Sequence, residues 1–200
     1  MKKFELTSEF VTFLGKKLFR IKALVAFGDV KEGELGGFVE KEENLDQSGN
    51  AWVFGNAQVS GDARVSGNAR VSGNARVFGN ARVFGNAQVF GNARVFGDAR
   101  VSGNARVFGN ARVFGNAWLS GNAHIQCCRD CSAASCFGSE NRTTTFFREK
   151  DGGIGVRCGC FYGTMSEFRE KVKERHGDSR LAKEYLMLTD LMEFRLSKDE

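Results

Sequence analysis

Three groups of residues in this 200-residue chain have types and spacings suited to chemistry. His124 and His176 are candidate general bases for a hydroxyl or an amine. Cys128-x-x-Cys131 and Cys158-x-Cys160 could together offer four thiolates to a zinc ion, with Cys127 and Cys136 left over. Arginine recurs at multiples of six residues from Arg64 to Arg112, and phenylalanine often stands two places after it, as in Arg76/Phe78, Arg94/Phe96 and Arg112/Phe114. Guanidinium groups in a row grip phosphates, and aromatic faces beside them stack on bases. The third group therefore points to an anionic, nucleotide-like ligand, with single-stranded nucleic acid in second place.

Each group also has a plainer role. Catalysis needs a nucleophile, a base and a pocket together. His124 falls at an outward position of a repeat, and His176 near a helix C-terminus, where a cation suits the macrodipole. The C-x-C spacing sends two sulfurs to opposite faces of a strand, and free cysteine commonly behaves as a small buried hydrophobe. Buried thiols without metal are thus expected, with zinc on Cys128, Cys131, Cys158 and Cys160, or a C-x-x-C redox pair, as the alternatives. Arginine can simply keep a strand surface soluble, and a row of exposed phenylalanines commonly marks a subunit interface.

The elements that must position these side chains follow from one phrase, G-[N/D]-A-x-[V/L/I], repeated thirteen times between Gly49 and Ala123. Apolar sites six apart drift around a helix, so the unit is a short strand with a tight corner. Along Ala-Arg-Val-Phe the side chains alternate, with Ala and Val facing one side and Arg and Phe the other. Gly-Asn or Gly-Asp forms the corner, because both residue types tolerate the left-handed backbone of a sharp bend. One unit cannot bury its own apolar face, so the units must stack.

The phrase resembles the hexapeptide repeat of left-handed parallel β-helices. The resemblance implies a mainly β fold, a triangular prism with three hexads per coil, and a homotrimer. It also implies three outward ladders. The first carries Gln58, Arg76, Arg94 and Arg112 beside Ser60, Phe78, Phe96 and Phe114; the second carries Arg64, Arg82, Arg100 and Trp118; the third carries Trp52, Arg70, Gln88, Arg106 and His124. Many members of that family are acyltransferases with a catalytic histidine in a cleft between subunits, often helped by a projecting loop. Here the hexads run from Gly49 to Ala123 without insertion. The tail Gly159-Cys160-Phe161-Tyr162-Gly163-Thr164, with Gly36-Gly37-Phe38-Val39-Glu40 ahead of the repeat, is similar to uncharacterised phage and prophage hexapeptide proteins. That second resemblance implies a viral origin and names no activity.

Around the repeat, residues 1–34 read as a β-hairpin cap, 35–126 as the β-helix and 127–200 as an α+β module of a hairpin and two helices. Strands are expected at 4–13 and 18–27, an irregular cysteine-rich stretch at 127–139, and a second hairpin at 143–148 and 154–161. Thr164 and Glu167 form a capping box for a helix ending near Gly177. Asp178 or Ser179 caps a last helix with the apolar stripe Leu181, Tyr185, Leu188, Leu191 and Met192. The net charge is +5, and the segment from Gly49 to Gln126, with eight arginines and two aspartates (8 − 2 = +6), accounts for it. No apolar run is long enough to span a membrane, and Met1–Glu5 lacks the apolar stretch of a signal peptide, so a cytoplasmic protein with reduced thiols is expected. The expected function is that of a non-enzymatic, phage-encoded binding protein without a cofactor, sequestering an anionic host signal in inter-subunit grooves through Arg76, Arg94, Arg112, Phe78, Phe96 and Phe114. A hexapeptide-type acyltransferase and a purely structural scaffold are the alternatives.

Overall fold

Every hexad of the repeat becomes a two-residue strand and a corner. The computed structural model describes residues 2–197; Met1 and residues 198–200, at the outer ends of the expected terminal units, lie outside the described residues. The repeat strands are β4 (Trp52–Val53), β5 (Gln58–Val59) and β6 (Arg64–Val65), recurring every six residues to β16 (His124–Ile125). Each pairs in parallel with the strand one coil on, so that Val59, Val77, Val95 and Val113 lie in one line. Three ladders result. Their members are the residues expected from the repeat: Gln58 to Arg112, Arg64 to Trp118, and Trp52 to His124. The chain is a parallel β-solenoid of about five turns followed by two helices.

Alternation along each strand decides the core. The repeat alanines and aliphatic residues are fully or almost fully buried, and no repeat arginine is. The corners are held by a second kind of stacking. Asn50 donates to Asn68, Asn68 to Asn86 and Asn86 to Asn104, at 3.2, 3.1 and 3.2 Å. At the corner itself Gly79 has φ +72°, and a Cβ there would stand 3.0 Å from the backbone nitrogen of Gly97 in the next coil. Gly115, with φ +63°, has nothing within 4 Å of the same position.

The two ends are closed differently. β1 (Phe4–Phe13) and β2 (Lys16–Ala23) form the expected hairpin, although the second strand stops at Ala23. β2 pairs antiparallel with β3 (Leu35–Val39), which pairs in parallel with β5, so the hairpin extends the first ladder beyond its first coil. Trp52 occupies an outward position yet is fully buried, because Phe4 and Phe27 meet its indole edge-on at 6.1 and 5.3 Å. Lys3 is also buried here, its amine donating to the carbonyls of Ala51, Gly49 and Ser48 at 3.0, 3.4 and 3.5 Å. Burial pulls this ammonium down to about 8, with Asp46 opposing the shift.

At the other end β17 (Cys131–Phe137), β18 (Arg142–Arg148), β19 (Ile154–Cys158) and β20 (Phe161–Thr164) form an antiparallel sheet. The stretch expected to be irregular therefore contains a strand. Its run of Ser, Ala and Cys carries little apolar alternation, and pairing with β18 supplies its order. β18 faces both ways: Phe147 is buried in the solenoid core, Phe146 in a second core shared with the helices. Thr145 Oγ1 accepts a hydrogen bond from the Trp118 amide at 3.0 Å, tying the sheet to the last coil. Helix α1 (Met165–His176) starts at the Thr164/Glu167 capping box, and α2 (Arg180–Leu196) is capped by Ser179. Within the expected stripe, Tyr185, Leu188 and Met192 are buried, but Leu191 is 57% exposed. Helix α2 turns Ala182, Thr189 and Leu196 inward instead, leaving Met187, Leu191 and Phe194 outside.

Two stability measurements check this reading. Phe147→Ala removes the plug shared between sheet and solenoid, and urea titration is expected to register a loss of about 3–5 kcal/mol. Gly115→Ala bears only the left-handed backbone penalty of about 1–2 kcal/mol, whereas Gly79→Ala adds a collision with the next coil and should melt lower. Equal melting temperatures for the two alanine variants would contradict close coil stacking.

Candidate functional site

The first ladder brings Arg76, Arg94 and Arg112 into one row and Phe78, Phe96 and Phe114 into another. Parallel pairing fixes this, since each residue sits over its counterpart in the next coil. Phe78 and Phe96 stack at 5.0 Å with rings 1° apart, and Phe96 and Phe114 at 5.4 Å and 16°. The hairpin covers one end of the row: Phe13 meets Phe78 edge-on at 5.8 Å, and the Arg76 guanidinium lies 4.6 Å from the Phe13 ring. The far end is open, with Arg94 and Arg112 exposed and Phe114 58% exposed.

The electrostatics of the repeat are unbalanced. Among the described residues, Arg70 is the only repeat arginine within 4.0 Å of a carboxylate, that of Asp29. The two repeat aspartates are engaged elsewhere: Asp62 with Lys41 at 2.7 Å, and Asp98 as acceptor from Asn80 at 2.9 Å. Arg106 is held by Gln88 at 3.1 Å.

Surface depressions follow the second ladder, which the sequence did not single out. One of about 740 Å³ is bounded by Glu42, Glu43 and Asp46 on one side and by Arg64 and Arg82 on the other. A second, of about 400 Å³, lies among Asp62, Arg64, Arg82, Asp98 and Arg100. A third, of about 330 Å³, reaches Trp118 and Arg157, whose guanidinium lies 3.9 Å from the indole ring. Of the serines at outward positions on this ladder, Ser66 lines the first depression, while Ser102 and Ser120 are buried, Ser102 accepting a hydrogen bond from the Trp118 indole at 3.2 Å.

The histidines and cysteines fall elsewhere. His124 lies edge-on to Phe108 at 4.7 Å, and its Nδ1 is buried without a hydrogen-bond partner. His176 stacks on Tyr185 at 5.8 Å, at the end of α1. The expected buried thiols are not found: Cys127, Cys128, Cys136 and Cys160 are exposed, and Cys131 and Cys158 half-buried. Phe146, Phe147 and Val156 fill the interior of that sheet, leaving cysteine to its rims and corners. Cys131 stands opposite Phe147, and Cys158 opposite Thr144 on the other side of β18. That register separates the two pairs by on the order of 14 Å. Among the described residues no three His, Cys, Asp or Glu side chains are grouped to hold a metal ion. Among the described residues no helix is long and apolar enough to cross a membrane.

A family model described as the YdcK β-solenoid repeat matches residues 57–73, 63–77, 69–85, 75–89, 87–103, 99–110 and 105–121. The repeat is thus similar to a known β-solenoid repeat through the middle of the solenoid. No curated protein matches the chain.

Thiol chemistry offers a direct check on the sheet. Burial, reinforced by Asp130, pushes the Cys131 thiol up to about 12. At pH 8 its thiolate population falls about a thousandfold below that of an ordinary thiol. Timed iodoacetamide labelling read by peptide mass spectrometry is expected to modify Cys127, Cys128, Cys136 and Cys160 first and Cys131 last. Comparable rates at all of them would refute this placement.

Proposed function

We propose that this protein is a non-enzymatic binding protein that holds an anionic, nucleotide-like ligand against its arginine rows. In this reading the solenoid coils are left-handed and triangular in section, and three chains associate. The phenylalanine row of the first ladder packs toward a neighbour, and arginines flank the groove between subunits. In this reading the protein acts in an infected cell's cytoplasm, where it withdraws a host signal used in defence; the resemblance of the tail from Gly159 to Thr164 to phage hexapeptide proteins supports it.

The observation that carries the reading is the set of arginines stacked coil over coil without carboxylate partners. Stacking like charges is unfavourable, and an anion bridging two or three rungs relieves it. Phe114, exposed beside Arg112, supplies the aromatic face that a base would use. The acyltransferase reading has less support, because His124 packs on Phe108 and His176 on Tyr185, and neither is oriented by a carboxylate. A scaffold role draws support from one feature, the exposed face of α2 formed by Met187, Leu191 and Phe194.

The test is a thermal-shift panel of cyclic and linear nucleotides on the purified protein, with oligomeric state followed by light scattering. A ligand at a hundred times its dissociation constant should stabilise the fold by about 2.7 kcal/mol. Arg94→Ala with Arg112→Ala should abolish the shift if the first ladder binds, and Arg82→Ala with Arg100→Ala if the second does. A trimer with no shift across the panel would favour the scaffold, and an acyl-CoA shift lost with His124→Ala would favour the enzyme.

A further inference from the structure

Away from the arginine rows, the C-terminal module encloses a cavity of about 220 Å³. Three parts of the chain meet around it: the turn after β17, the corner between β19 and β20, and the end of α1 with the start of α2. Its floor is apolar. Phe161 and Phe168 lie 5.2 Å apart, Val172 sits one turn along α1 from Phe168, and Phe168 meets Tyr185 edge-on at 5.7 Å.

One polar pair is set into that floor. Tyr185 is 6% exposed, with its phenol beside Cys158, whose sulfur accepts a hydrogen bond from Thr144 Oγ1 at 3.2 Å. Burial, with the Cys158 sulfur beside it, holds the phenol above its ordinary range, so it adds no negative charge to the floor. The turn closes tightly over this hydroxyl: a Cβ on Gly138 would stand 1.8 Å from it.

The rim is basic. Arg142, Lys171 and Arg175 line it, against Glu140. Glu140 stands 3.6 Å from Arg142 and 4.0 Å from Arg175, both long contacts, while Lys171 pairs with Glu174 at 2.7 Å. Three cations against two carboxylates leave one net positive charge (3 − 2 = +1), His176 not counted. An apolar floor under a rim of surplus positive charge fits a ligand with a flat apolar body and one anionic end. The volume falls below the roughly 300–1,000 Å³ of sites for drug-sized ligands, which sets a size limit.

We propose that this cavity binds a small aromatic or branched anion, a carboxylate or a phosphate monoester of about ten non-hydrogen atoms. The body lies on Phe161, Phe168 and Val172, and the anionic end takes the place of Glu140 between Arg142 and Arg175. The site is independent of the reading given to the solenoid, and it is too small for a whole nucleotide.

Isothermal titration of the full chain with benzoate, phenyl phosphate and the neutral isostere benzamide tests it. At least one anion should bind saturably, tenfold or more tighter than benzamide. Arg175→Ala, at an exposed position, should weaken that binding about tenfold, a change of about 1.4 kcal/mol. Val172→Trp, checked for folding by circular dichroism, should abolish it by filling the floor, and Lys31→Ala, at an exposed position beside the N-terminal hairpin, should leave it unchanged. Three outcomes would overturn the proposal: benzamide binding as well as the anions, neither anion saturating below about 10 mM, or binding lost with Lys31→Ala and kept with Arg175→Ala. The relative strength of benzoate and phenyl phosphate assigns the head group.

Discussion

Coil is joined to coil by backbone hydrogen bonds, and that ladder governs the rest of the molecule. The amide of Arg64 donates to the carbonyl of Ala81, that of Arg82 to Ala99 and that of Arg100 to Ala117, at 2.9, 2.9 and 2.8 Å. Because the spacing never changes within the repeat, like must stack on like. This is favourable inside, where valine lies on valine and each buried one contributes about 1.5–3 kcal/mol. It is unfavourable outside, where guanidinium lies over guanidinium. Two unit charges about 4 Å apart in water repel by only about 1 kcal/mol. The core therefore wins at every rung, and the fold can carry rows of like charge that an irregular surface would disperse.

A ladder of this kind has two ends, and each is a template for unwanted pairing. At the start of the solenoid the first ladder is continued by β3, which runs parallel to it, and then by the antiparallel β2 and β1, and a register shift between Leu6 and Phe10 breaks the regularity of the outermost pair. At the other end a sheet lies against the last coil, with Phe147 turned into the solenoid and Phe146 away from it. The alternation of a strand thus serves two cores at once. That second core, between sheet and helices, also creates the cavity beneath Tyr185.

What could be read from the sequence was what is local or periodic. The hexad gave the ladders, because every rung obeys the same arithmetic. Thr164 and Glu167 announced α1, because a capping box is decided within four residues. What could not be read depends on partners distant in the chain. Trp52 is outward by period but buried by Phe4 and Phe27, which come from another segment. The strand Cys131–Phe137 has no pattern of its own and exists through its pairing with β18. The thiols were expected inside because cysteine is usually buried, yet Phe146 and Phe147 hold those places. The cavity joins Arg142, Cys158, Arg175 and Tyr185, four residues on four different elements, and no spacing rule connects them.

In so regular a repeat, specificity must reside where the pattern is broken. The first ladder keeps phenylalanine on three successive coils and offers a continuous apolar stripe, a surface matched to another such stripe. The second ladder has serine at three of those positions, replaces its last arginine with Trp118, and carries both repeat aspartates in the corners that lead into it, Asp62 before Arg64 and Asp98 before Arg100. The aspartates place carboxylates at fixed points along an otherwise basic row, around a depression of that face. A ligand recognised by charge alone would be met equally by either ladder. One recognised by shape as well would be read by the second.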